Sequence, residues 1–195
     1  MNLDNFVTPD MSDVGFRPQE YLAQAPSSAT MKGVLFNDLA KLVGREQLGP
    51  SARPRYIAFK DYPLREWMEV LLYASREAFP RQPKREALHR LGLRAYEAFG
   101  ASRIGKVMFA MAGRDLRALY GMAPRIIGVA NSAPNVETEA IDESRMVIRI
   151  RNTWDFPDCY TVGIFQGPAR AFGVDCRVKV RTYSICDIDY LLDFS

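Results

Sequence analysis

Along residues 175–194 polar and apolar positions alternate with a period of two. Cys176, Val178, Val180 and Thr182 interleave with Asp175, Arg177, Lys179 and Arg181. Further on, Ile188, Tyr190, Leu192 and Phe194 interleave with Asp187, Asp189 and Asp193. That period predicts an antiparallel hairpin with one buried and one wet face. A turn centred on Ser184 sets Arg181 against Asp187, Lys179 against Asp189, Val180 against Ile188 and Val178 against Tyr190. Charge pairs on one face and apolar pairs on the other select a single register. Residues 136–151 repeat the pattern around Asp142-Glu143-Ser144. There Met146, Ile148 and Ile150 point one way, Arg145, Val147, Arg149 and Arg151 the other, and Glu137 faces Arg149.

Upstream the spacing is helical. Leu35, Phe36, Leu39, Leu42 and Val43 form one stripe, with Gly44 as its stop. Residues 56–59 are a short apolar run compatible with an extended segment or a single turn. The strongest stripe follows Pro63, which suits a first helical position: Leu64, Trp67, Met68, Leu71, Leu72 and Ser75. Beyond Pro80 and Pro83, Leu88, Leu91, Ala95 and Phe99 predict a second helix ending at Gly100. A third is expected on Ile104, Val107, Met108 and Met111, and a short fourth on Leu116, Leu119 and Tyr120, with Pro124 closing the helical half. Between the hairpins, Tyr160, Ile164 and Phe172 predict a helix with Pro157 in its first turn and Pro168 kinking its interior. Gly163 and Gly167, four apart, imply close helix-to-sheet packing or a pocket beside the kink. The fold class is α+β: a four-helix front half on an antiparallel sheet of two hairpins, with a β-β-α-β-β C-terminal half. Residues 31–195 make the single domain. Residues 1–30 keep no period and read as an extension, partly flexible, able to dock through Phe6, Val7, Phe16, Tyr21 and Leu22.

Composition changes this picture little. With 48% hydrophobic and 25% charged residues the chain can fill a core. A net charge of +3 demands no polyanionic partner. Nine Lys and Arg lie from Arg81 to Arg117 against three acids, but with few aromatics interleaved they read as a solvated helix face rather than a nucleic-acid surface. There is no apolar run of membrane-spanning length and no signal peptide at the acidic N-terminus, so a cytoplasmic protein is expected. Three cysteines without C-x-x-C spacing argue against disulfides and thiolate zinc.

The chemical inventory is thin. A single histidine, His89, excludes two-histidine metal sites; a lone haem ligand or general base stays open to it, but its place on a basic helix favours a helix-face residue. Glycine-rich phosphate loops, nucleophile elbows and zinc-protease motifs are missing. Cys159 stands near a helix N-terminus, where the macrodipole can lower a thiol pKa, but it has no obvious base. No catalytic residue, metal or cofactor is assigned, and the balance leans away from an enzyme. The candidate binding residues are the basic row Arg145, Arg149, Arg151, Arg177, Lys179 and Arg181, with Trp154 and Tyr160 beside it. An aromatic in the loop after a sheet can anchor a partner, and an extended peptide can add to a sheet edge.

From residue 31 the chain resembles a paralogous family of uncharacterised proteins found mainly in myxobacteria. The resemblance rests on Met31-Lys32-Gly33-Val34-Leu35-Phe36-Asn37, on Tyr62-Pro63-Leu64 with Trp67, and on Glu86-Ala87-Leu88 with Arg90-Leu91-Gly92. That family is distantly similar to the ligand-binding domains related to 4-vinyl reductase, haem-nitric-oxide-binding proteins and transport-particle subunits. The resemblance implies small hydrophobic ligands or protein partners, often with homodimers. The haem branch's Tyr-x-Ser-x-Arg signature has no match, because Tyr183-Ser184-Ile185-Cys186 is spaced differently. Some similar proteins bind precursor peptides in clusters for ribosomal peptide natural products such as crocagin. The leading expectation is therefore a peptide-binding protein that presents an acidic precursor peptide for modification. The alternatives are a sensor of a small hydrophobic ligand, with its pocket between the Trp67 helix and the sheet, and a cofactor-free enzyme on a bound peptide.

Overall fold

The computed structural model describes residues 3–101, 106–107, 110, 113 and 115–194. It is an α+β fold. Among the described residues the helices are α1 (Pro18–Gln24), α2 (Gly33–Val43), α3 (Leu64–Ala78), α4 (Lys84–Ala101), α5 (Leu116–Gly121), α6 (Ala123–Ala130) and α7 (Tyr160–Ala171). Strands β3 (Asn135–Ala140), β4 (Arg145–Arg151), β5 (Cys176–Thr182) and β6 (Ile188–Phe194) form one antiparallel sheet in the order β3-β4-β6-β5. The two hairpins thus join through β4 and β6. A small second sheet pairs β1 (Thr30–Lys32) with β2 (Asp61–Pro63); three residues are too short for alternation to announce a strand.

The helical stripes fold as their spacing requires. Leu64, Trp67, Met68 and Leu71 are buried along α3, and Phe36 of α2 packs edge-on against Trp67, with ring centroids 5.0 Å apart. Gly44 ends α2 at φ 92°, a conformation that favours glycine. The run at residues 56–59 resolves as a turn, Lys60 N–H donating to the Ile57 carbonyl at 3.1 Å, and Tyr56 stacks on Phe36 at 4.1 Å. Helix α4 continues past Gly100 to Ala101, since one glycine costs a helix only about 1 kcal/mol. Of the expected third helix, Ile104, Met108 and Met111 lie outside the described residues, as do Arg103 and Arg114 of the basic run. Val107 is helical and exposed. Pro124 does not close the helical half. It occupies the first turn of α6, where the missing N–H removes no helical bond.

The first hairpin keeps its expected register, Glu137 opposite Arg149. The second slips by two. Arg181 faces Asp189, Lys179 faces Leu191, and Val180 faces Tyr190. Side-chain turn chemistry widens the loop: the Ser184 hydroxyl accepts from the N–H groups of Cys186 and Asp187 and donates to Asp187 Oδ2 at 2.9 Å. An even slip preserves both faces. The outer face is less wet than alternation implies, because Val147 and Leu191 are buried beneath Phe6. Residues 3–30 lie on the domain: Phe16, Tyr21 and Leu22 join the core, and Val7 pairs with Val180 at the free edge of β5.

The glycine pair of α7 packs a helix rather than the sheet. A Cβ on Gly163 would stand 2.1 Å from the His89 carbonyl oxygen, and one on Gly92 of α4 would stand 2.1 Å from that of Tyr160. Gly167 meets the Tyr96 side chain in the same crossing. Small residues let the two backbones touch. Pro157 precedes α7, its carbonyl accepting from the Tyr190 hydroxyl at 2.8 Å.

Candidate functional site

The opposite flank of α7 opens into a hollow. A pocket of about 180 Å³ lies between the helices and the inner sheet face. Its walls come from Trp67 on α3, Tyr96 on α4, Tyr120 on α5, Ile126 and Ile127 on α6, Ile150 on β4, and Tyr160, Ile164 and Phe165 on α7. The stripes that face inward on these elements are apolar, so the hollow they enclose is apolar too.

One turn brings polar groups to this wall. Asn152 and Phe156 both adopt positive φ, 59° and 56°, and bracket Thr153, Trp154 and Asp155. For a buried phenylalanine this conformation stores strain on the order of 1 kcal/mol. Packing overrides it, since Phe156 is fully buried against Phe16 and Tyr21. The turn is pinned to the β5–β6 loop: Thr153 N–H donates to the Cys186 carbonyl at 2.9 Å and Asn152 N–H to Asp187 Oδ1 at 3.1 Å. Thr153 and Asp155 thereby line the pocket.

Asp155 is buried, and Thr153 Oγ1 donates to its Oδ1 at 3.0 Å. Burial pushes its carboxyl above the usual carboxylate range; the Thr153 bond, its own N–H and the Trp67 indole pull weakly the other way. No cation is among these influences. The Trp67 Nε1–H makes no full hydrogen bond and is buried. Burial also raises the phenols of Tyr160 and Tyr120, whose protons stay in place. Tyr120 donates to the Phe165 carbonyl.

Of the residues expected to bind a partner, Tyr160 alone lines the pocket. Trp154 is buried with its indole N–H unpartnered, not standing on a rim, because its turn folds inward onto Phe156 and Cys186. The basic row is largely neutralised. Arg145 holds Asp142 at 2.5 Å, Arg149 pairs with Glu139, and Arg151 and Arg181 grip the two oxygens of buried Asp189 at 2.8 and 2.7 Å. Arg177 and Lys179 are exposed and make no ion pair among the described residues. Cys159 is buried, and burial raises its thiol well above the ordinary value, outweighing any helix dipole. His89 lies on the α4–α7 crossing, its Nε2 at 2.6 Å from Gln166 Oε1. Sequence reasoning missed Asp155 and Thr153. The available signal was a carboxyl set between Trp154 and Phe156, the kind of polar group an aromatic turn carries inward.

The solved structures most like this chain include H-NOX proteins. One from S. oneidensis in the Fe(II)NO ligation state matches at TM-score 0.66 and 15% identity, covering 85% of this chain and 99% of that one. An oxygen-binding H-NOX domain related to soluble guanylate cyclases matches at 0.65 and 14%, covering 84% and 92%. The Fe(II) unliganded protein from K. algicida matches at 0.63 and 13%, covering 85% and 97%. At such identity the likeness is one of fold. No curated protein matches by sequence. A family model described as "Protein of unknown function (DUF2378)" matches residues 24–194, nearly the whole chain. The chain belongs to that family, built on an H-NOX-like fold.

Proposed function

We propose that this protein is a binding or sensor domain for a small hydrophobic molecule held between the helices and the sheet. The carrying observation is the apolar hollow of about 180 Å³ with a few convergent polar groups, the usual anatomy of a small-molecule site. Its scale suits a substituted single ring or fused bicycle, since an apolar cavity of about 150 Å³ takes up benzene.

The H-NOX fold raises the question of a haem. The pocket wall carries no histidine, cysteine, lysine or arginine among the described residues. Its phenols are held protonated, and His89 is engaged with Gln166. Met31 is the one other lining side chain, among the described residues, of an axial-ligand type, it has no histidine opposite it in the wall, and no cation faces the pocket for the propionates. The residues do not fit a haem.

Ligand-observed NMR with indole tests the reading. Binding is expected, together with its loss in Ala123→Leu, which projects a larger side chain into the pocket. Absence of binding to the folded wild type would overturn it. A second reading keeps the peptide, with its possible role as a precursor in natural-product assembly. It is supported by Arg177 and Lys179, exposed on edge strand β5, where Val7 bridges Val180 and an acidic strand could add to the rest of the edge. The charge-reversed pair Arg177→Glu and Lys179→Glu should then abolish binding of an acidic peptide.

A further inference from the structure

We infer that the ligand of this pocket is a small aromatic monocation, an amine whose ammonium pairs with Asp155 while its ring fills the apolar hollow. This rests on the small-ligand reading above and adds the ligand's charge.

Three buried carboxyl side chains among the described residues carry the argument. Asp38 meets Lys41 at 2.8 Å, and Asp189 is held between Arg151 and Arg181. Asp155 has a threonine and, among the described residues, no cation. A carboxylate accepts several hydrogen bonds and offers none, and burying one without a counter-charge is strongly unfavourable. Among the described residues, that charge is present at the other two positions and missing at the one that faces a pocket. The titratable groups near Asp155 are the phenols of Tyr160 and Tyr190, which lie close enough for its charge to raise them. Neither can serve as a counter-ion.

The surroundings suit an ammonium. Trp67 and Tyr160 meet edge to face, centroids 6.4 Å apart, and both line the pocket. Aromatic faces beside a carboxylate stabilise a desolvated cation. The unpartnered Trp67 N–H fits the same picture. It lies near the Asp155 carboxyl without a full bond, so an ionised carboxylate would give this donor its acceptor. The pocket's size then limits the ligand to a ring with a short amine arm.

Phenethylamine and its neutral counterpart 2-phenylethanol separate the possibilities by isothermal titration calorimetry at pH 7. The wild type should bind the amine about tenfold or more tightly than the alcohol, as a charge-assisted contact does. Asp155→Asn should erase that gap by weakening the amine at least tenfold. Should this variant fail to fold, the wild type titrated with the anionic 3-phenylpropanoate gives an independent readout: the amine binds and the carboxylate is rejected, and equal binding of the two would overturn the assignment. Equal affinities for the amine and the alcohol, or a gap that survives Asp155→Asn, would overturn the amine assignment and leave the pocket reading intact. Binding of neither amine nor alcohol to folded protein would overturn both.

Discussion

Helix α7 has two flanks packed to opposite standards. On one, Gly92, Gly163 and Gly167 bring α4 and α7 so close that a single methyl group would strike backbone. On the other, Ile164, Phe165 and Tyr160 look into about 180 Å³ of space. Space lined by apolar side chains forgoes the contacts that close packing would give them. A chain able to pack one side of a helix at backbone contact is capable of packing the other. The hollow therefore reads as a built feature, and the strained turn at Phe156 that carries Asp155 to its wall agrees.

The contrast can be broken most severely at the crossing. Gly163→Ala or Gly92→Ala should cost about 3 kcal/mol or more in urea unfolding, because the struck atoms are main-chain oxygens that cannot swing aside. Full stability in both variants would show that the crossing has slack. The pocket flank should respond with the opposite sign. Ala123→Leu adds three carbons to the hollow and should raise stability by about 2 kcal/mol while abolishing indole binding. A loss of stability there would mean that the hollow is already full. The same glycine-to-alanine change moved to exposed Gly128 of α6, where an added Cβ meets nothing within 4 Å, should stabilise by about 0.5–1 kcal/mol. That result sharpens the first, since it assigns the cost at Gly163 to contact rather than composition.

The smallest effect concerns pH, and there the two buried aspartates diverge. Burial raises Asp155, so its contribution to stability is complete below about pH 3.9 and is lost as pH climbs through its elevated folded pKa. Burial also works against Asp189, but bonds from Arg181, Arg151 and Tyr183 outweigh it and hold that carboxyl low. Its contribution is present above about pH 3.9 and is lost as pH falls through the depressed folded value. Thermal melts across pH should show Asp155→Asn flattening the decline on the alkaline side of pH 4. Asp189→Asn should remove part of the acid limb. Unchanged profiles in both variants would refute the assignment of these charges.

Both hairpins, the α3 stripe and the α+β class were legible in the chain, because periods of 2.0 and 3.6 are local properties that burial on one face imposes. The register of the second hairpin was not, since Ser184 settles it through side-chain bonds that alternation does not record. Gly163 and Gly167 announced a close approach but not its partner, because Gly92 lies 71 positions upstream in the chain. The candidate site was the least legible part. Arg149, Arg151 and Arg181 looked like a binding surface until their partners Glu139 and Asp189 came into view. Asp155 looked like one more loop acid until the turn carried it inside. Sequence alone determined the strands of the two hairpins and the buried stripe of α3, for these periods follow from neighbours along the chain. Tertiary structure alone decided which charges are neutralised and which stands uncompensated beside a hollow, for electrostatic pairing and empty volume are set by residues distant in sequence.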